Sequence, residues 1–399
     1  MKSYSDTNTI LSTCKLITPH KEIPNGAVAW DGSGKIIFVG PAKDLNKITG
    51  QHFKADELIA APGMIDIHVH GGFGVTFGLG DLEPELQKYS EWVARNGVTG
   101  FIITITGPDP DFILSAINGY VPLLEKDFPG AQPLGLHLEG PFLNPEKLGA
   151  FDLTWVRKPS IEEMRKYLDA GKGWIKHITL SPELAGADEV AKLLQKKGVR
   201  AALGHSNADF ETASRALSNS FSHFTHTFNA QSLLHHRQPG VVGAVLISEK
   251  CTAELITDTA HVHPAVMQIL INCLGPDRVV IITDAMPGTG LPDGTYDLLG
   301  QLIIVKDGKA LTFSDGRLAG STVTMDECIR TMINTVNIPL QSTLRMASYN
   351  PATVIGLEKT IGSLEIGKQA DIVIFDDHLK VKMTIRNGKQ IYKENNNAD

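Results

Sequence analysis

Six side chains of metal-ligating type stand at the C-terminal ends of apolar runs in this chain. His68 and His70 lie in PGMIDIHVHGG (62–72), Glu139 in GLHLEGPF, His205 in ALGHSNAD, His226 in THTFNAQS and Asp284 in IITDAMPGTG. Alternation along a strand points residues i and i+2 the same way, so the imidazoles of His68 and His70 are expected to face one side. Imidazoles mixed with carboxylates suit a borderline divalent cation such as zinc or iron. Gly140 and Pro141 end the run straight after Glu139 and so set its carboxylate at a strand end. Each residue also has a plainer reading. A single core histidine is usually a hydrogen-bonded structural residue, and a Glu before Gly-Pro can satisfy turn amides. The set is more telling than its members, because structural polar residues need not all gather at C-terminal strand ends. His137 and His177, inside their runs, are read as structural.

Eight apolar runs, at 64–70, 98–105, 133–139, 175–181, 199–205, 222–226, 253–258 and 278–284, are short and mostly β-branched. Continuous apolar runs fit strands buried on both faces of a parallel sheet. Helical patterns separate them: Leu86, Tyr89 and Val93 share a face before Asn96-Gly97, and Ser160 with Glu163 makes a capping-box pattern. Eight strand–helix units predict a (β/α)8 TIM barrel over 61–355, with the active site at the C-terminal strand ends. The two chain ends, 1–60 and 356–399, carry short strand-like runs broken by turn signals such as Asn387-Gly388. They are expected to pair into one small β-sandwich beside the barrel.

With 399 residues, 42% of them hydrophobic and 20% charged, the chain reads as a soluble globular protein with one large core and a smaller one. A net charge of −7 argues against nucleic-acid and anionic-membrane partners, since no basic field exists to attract phosphate backbones. A small anionic substrate is compatible if a few positive groups share a pocket. The 4 cysteines are widely spaced, as expected of reduced thiols. The N-terminal MKSYSDTNTILSTCK lacks a signal-peptide pattern, and no apolar stretch reaches membrane-spanning length. The expected compartment is the cytoplasm.

The segments PGMIDIHVHGG, GLHLEGPFLNPEK, GHSNAD, HTFNAQSLLHHRQPGVVGA, ITDAMPGTGLPDG, LAGSTVTMDE and ASYNPATVIGL resemble the N-acetylglucosamine-6-phosphate deacetylase family of the amidohydrolase superfamily. The resemblance runs over nearly the whole chain. It implies hydrolysis of the acetamide of an amino-sugar 6-phosphate by a homodimer holding one or two divalent metals per subunit, zinc or iron foremost, with manganese and cobalt as further options. It implies Glu139, His205 and His226 as metal ligands, with His68 and His70 able to hold a second metal and Glu139 bridging. Asp284 would act as acid–base group and metal ligand. Asn229, the Ala230 amide and Arg237 match phosphate-side contacts, and His261 a further substrate contact. Two departures stand out: KLGAFD puts Leu148 and Phe151 where the family has Lys and a carbonyl-binding His, and Asp258-Thr259-Ala260 alters the usual D-G step. A related N-acyl sugar phosphate as substrate, or a catalytically silent scaffold, are the alternative readings.

Overall fold

The computed structural model describes residues 8–45 and 48–394. Residues 1–7, 46–47 and 395–399, which include part of the N-terminal segment and the outer ends of the expected 1–60 and 356–399 regions, lie outside the described residues. Eight parallel strands run β1 (Met64–Asp66), β2 (Val98–Ile105), β3 (Gln132–Glu139), β4 (Ile175–Leu180), β5 (Arg200–Leu203), β6 (Phe221–Phe224), β7 (Thr252–Ile256) and β8 (Val279–Ile282), each paired with the next. β2, VTGFIITI, is buried along its full length, as a strand covered on both faces must be. Helices follow β2 to β7 on the outside, and several carry the caps that their sequences supply. The carboxylate of Asp109 accepts from Phe112 N and that of Asp209 from Thr212 N, both at 2.8 Å. These strand–helix units make the (β/α)8 barrel.

The barrel closes between β1 and β8 beyond the ends of those strands. His68 O accepts from Asp284 N at 3.0 Å, and His70 N donates to Ala285 O at 2.9 Å. Thr283 Oγ1 donates to Asp66 Oδ2 at 2.5 Å across the same seam. His68 and His70 therefore sit past the strand end rather than inside the expected 64–70 strand. They are held extended by pairing to residues 284–285.

The terminal regions meet in one mixed sheet of eight strands. Gly50–Pro62 pairs parallel with Asn8–Ile17 and antiparallel with Ile372–Phe375, so both chain ends share a ladder. The sheet curls on itself: Trp30 Nε1 donates to Gly388 O at 3.2 Å, joining strands far apart in the sheet order. Leu11, Trp30, Ile374 and Ile385 fill the space between, so a single sheet supplies both faces of the sandwich. Asn387 and Gly388 take φ of +48° and +74°, the left-handed pair that a two-residue hairpin turn requires. After β8 comes a feature with no counterpart in the expected plan, a three-stranded antiparallel sheet of Gly294–Leu298, Gln301–Lys306 and Lys309–Thr312. No helix among the described residues is long and apolar enough to cross a membrane.

Asp371 anchors the Asn387-Gly388 turn, its Oδ1 accepting from Asn387 N at 2.6 Å. Burial pushes its carboxyl up to about 6, against the opposing pull of that amide and of Arg386 and Lys35. The folded protein thus binds this proton more tightly than the unfolded chain, so its contribution to stability is present below about pH 4 and is lost as pH rises to about 6. At neutral pH the difference is on the order of 3 kcal/mol. Urea unfolding at pH 4.5 and pH 7 should show Asp371→Asn flattening the wild-type decline. An identical decline in the variant would contradict this.

Candidate active site

The six sequence-predicted ligands converge at the C-terminal mouth of the barrel as two triads, His68/His70/Asp284 and Glu139/His205/His226, with the ligand atoms of each triad within 4.8 Å of one another. In the second triad the three donor atoms form a near-equilateral triangle. His205 Nε2 and His226 Nε2 lie 3.1 and 3.0 Å from Glu139 Oε1 and 3.0 Å from each other. Tetrahedral bonds of about 2.0 Å would set such atoms roughly 3.3 Å apart, close to this triangle. Two bare imidazole nitrogens at this spacing repel unless a cation or proton lies between them. The other oxygen of Glu139 faces the first triad, with Oε2 at 3.1 Å from His70 Nε2 and 3.5 Å from His68 Nε2. Asp284 Oδ1 completes it at 3.3 and 3.6 Å from the same two nitrogens. Glu139 is thus placed to bridge.

The chain aims these groups with unusual backbone. His205, His226 and Asp284 have φ of +46°, +25° and +50°, a region non-glycine residues rarely occupy, and it turns each side chain inward just after its strand. Gly204 precedes His205 where a Cβ would come within 2.7 Å of the Thr179 and Thr225 side chains, so only glycine fits there. His205 Nδ1 donates to Lys147 O at 2.7 Å, which leaves its Nε2 bare toward Glu139.

The site is buried and dense in ionisable groups. All six residues are buried, His70 being the most accessible at 9%. Burial would raise the Glu139 carboxyl, but the charge of His68 and the hydrogen bonds of His205 and His226 hold it well below the usual range. Burial likewise opposes Asp284, and His68 and His70 keep it lowered. Burial would depress His70, yet Asp284 and Glu139 push it up to about 9. His68 Nε2 is buried without a hydrogen-bond partner. A divalent cation fits this donor set: two carboxylates and four imidazoles, with an orphaned nitrogen facing inward.

Above the ligands opens a cavity of about 300 Å³, within the range of small-molecule sites. A match to the amidohydrolase family extends over residues 59–391. The chain belongs to the amidohydrolase family. Dependence on a divalent metal is general in this family, and the two triads are where this member could bind it. The chain is 33% identical to the N-acetylglucosamine-6-phosphate deacetylase of Bacillus subtilis (strain 168), over 95% of this chain and 96% of that one. It is 36% identical to the N-acetylgalactosamine-6-phosphate deacetylase of Escherichia coli O157:H7, over 82% of this chain and 86% of that one. Its structure superposes with a TM-score of 0.91 and 29% identity on a mutant N-acetyl-D-glucosamine-6-phosphate deacetylase of Mycobacterium smegmatis in complex with N-acetyl-D-glucosamine-6-phosphate, covering 97% of this chain and 100% of that one.

Of the substrate contacts expected from sequence, Asn229, Ala230 and His261 line the amidohydrolase cavity. His261 is fixed by Asp258, whose Oδ2 lies 2.7 Å from its Nδ1. Arg237 is not brought there within this chain. It lies exposed on the turn joining His235 to Gln238, with Nη1 2.9 Å from His236 Nε2. The guanidinium that does line the cavity is that of Arg317, next to the inserted sheet and paired with Asp315. Sequence reasoning missed it together with Gln301 and Leu298, although Asp307-Gly308 between two apolar runs is a hairpin signal. Phe151, where the sequence resemblance places a histidine, stands edge-on to His205 with centroids 5.0 Å apart. His137 and His177 stay outside both triads. They stack on each other at 3.9 Å, and burial depresses His137 strongly and His177 to about 3.

Because Glu139 serves both triads, Glu139→Gln should weaken Zn²⁺ binding by about a hundredfold, more than substitution of a ligand to one triad alone. Competition with a chromogenic chelator measures this, and an affinity within a few-fold of wild type would count against the bridging arrangement.

Proposed function

We propose that this chain hydrolyses the acetamide of N-acetylglucosamine 6-phosphate to acetate and glucosamine 6-phosphate, in amino-sugar catabolism or recycling. The observation that carries this reading is the pair of ligand triads sharing Glu139 at the floor of a sugar-sized cavity, in a chain whose relatives over most of its length bear that activity in their names. A divalent cation, zinc or iron foremost, would supply Lewis acidity there, lowering the pKa of a bound water to about 7 and polarising the amide carbonyl, a task for which Phe151 has no donor. Asp284 takes the proton of the attacking water as its oxygen bonds to the acetyl carbon. Asp284 then delivers that proton to the sugar nitrogen as the C–N bond breaks. Its lowered pKa suits the first role, since the carboxylate starts ionised. Burial of the site keeps bulk water from competing for these protons.

The phosphate end of the substrate would lie against Asn229 and the Ala230 amide, with Arg317 the cation at the wall and His261 a further substrate contact. Burial opposes the His261 imidazole, but Asp258, helped by Asp284, lifts it above its ordinary value, so it can donate a hydrogen bond to the substrate. The galacto epimer is the second reading, because an enzyme named for it is 36% identical to this chain, the same identity as a relative named for the gluco substrate. Every candidate ligand and Asp284 are present, which favours an enzyme over a silent scaffold. The reading carries with it a homodimer, as the sequence resemblance implies, in the expected cytoplasmic compartment.

The test is acetate release from N-acetylglucosamine 6-phosphate and from unphosphorylated N-acetylglucosamine by metal-loaded protein. A strong preference for the phosphate ester is expected, and Asp284→Asn should lower kcat by about a hundredfold or more. Absence of release from either sugar, with metal bound, would refute the substrate; wild-type kcat in the Asp284 variant would refute its proton-transfer role.

A further inference from the structure

Glu254 lies in the middle of β7, in the run TAELI, and is fully buried. A carboxylate in a barrel strand costs several kcal/mol unless its lone pairs are filled, and an apolar residue would serve the fold with less cost. Here three donors converge on it. Oε2 lies 2.9 Å from His68 Nδ1 and accepts from His226 N at 3.0 Å. Oε1 lies 3.0 Å from His223 Nε2, and the far nitrogen of His223 lies 2.7 Å from Thr252 Oγ1. The carboxyl does not line the cavity and touches none of the space a substrate would fill.

Each contact acts on a candidate ligand. An imidazole has two nitrogens, and a carboxylate can only accept, so His68 must give its Nδ1 proton to Glu254. In the neutral ring that a cation would bind, this leaves Nε2 as the lone-pair side, and Nε2 is the atom that faces Glu139 and Asp284 without a partner of its own. The second contact clamps the backbone of His226 at its left-handed φ of +25°, which aims the ring at Glu139. Glu254 therefore touches one residue from each triad. His205, by contrast, is oriented by a neutral backbone carbonyl.

We propose that Glu254 is a positioning residue for the metal site, setting the His68 tautomer and the His226 backbone together through one buried carboxylate, with His223 and Thr252 as its support. This rests on the metal-binding reading of the two triads. A carboxylate behind an imidazole also raises its basicity, so Glu254 strengthens His68 as a ligand as well as orienting it.

The experiment compares wild type, Glu254→Gln, Glu254→Ala and His68→Ala as full chains stripped of metal. Zn²⁺ affinity is read by chelator competition, and the visible spectrum of the Co²⁺-loaded protein reports ligand number and geometry. The Ala variant should bind Zn²⁺ about 10- to 100-fold more weakly and show an altered Co²⁺ spectrum. The Gln variant, whose amide oxygen can still face His68 and His226, should fall between it and wild type. A folded Ala variant with wild-type affinity and spectrum overturns the proposal. If the Ala variant does not fold, the Gln variant decides: weakened Zn²⁺ binding supports the proposal, and wild-type affinity with an unchanged spectrum overturns it. His68→Ala separates the two levels of the argument. If it leaves Zn²⁺ affinity unchanged, the metal reading of the first triad has failed; if it weakens binding while Glu254→Ala does not, only the positioning role has failed.

Discussion

The carboxylate of Glu139 is the interaction on which the site depends. It is 3% exposed, and each of its oxygens faces a different pair of imidazoles. A buried carboxylate so surrounded is stable only if positive charge, shared protons or a cation, occupies the space between the rings. The fold provides the geometry for this. Parallel strands all present their C-terminal ends at one mouth, and the strand ends and the segments that follow β1, β5, β6 and β8 bring six ligand-type side chains together as two adjoining triads.

The same seam that completes the barrel completes the site. The backbones of His68 and His70 hydrogen-bond to Asp284 and Ala285, so the partners of the first triad are also the residues that join the first strand to the last. Loss of order at this closure would move Asp284 and the two histidines together. Glu254 extends this coupling inward, because it holds His68 and His226 from a strand that contributes no ligand of its own.

That these six side chains gather at one mouth was legible in the sequence because residue type and position at a strand end are both local signals. The eight runs and the Asn387-Gly388 hairpin were legible for the same reason. What escaped depends on contacts distant in sequence. The curl of the terminal sheet rests on Trp30 meeting Gly388, which no local pattern announces. Glu254 looked like one residue of an ordinary strand, although a lone carboxylate in a run buried on both faces was the available clue. Arg237 shares a motif with Asn229 and Ala230, yet the turn that carries it leads to the surface, while Arg317 reaches the cavity from an insertion overlooked after β8.

The most direct test of the account is a metal titration of activity. Protein freed of metal by a chelator would be assayed for acetate release from N-acetylglucosamine 6-phosphate before and after stoichiometric Zn²⁺. Negligible release from the stripped protein is expected, with recovery that saturates at one or two equivalents. Full activity in the stripped protein, with its metal content verified as negligible, would contradict it.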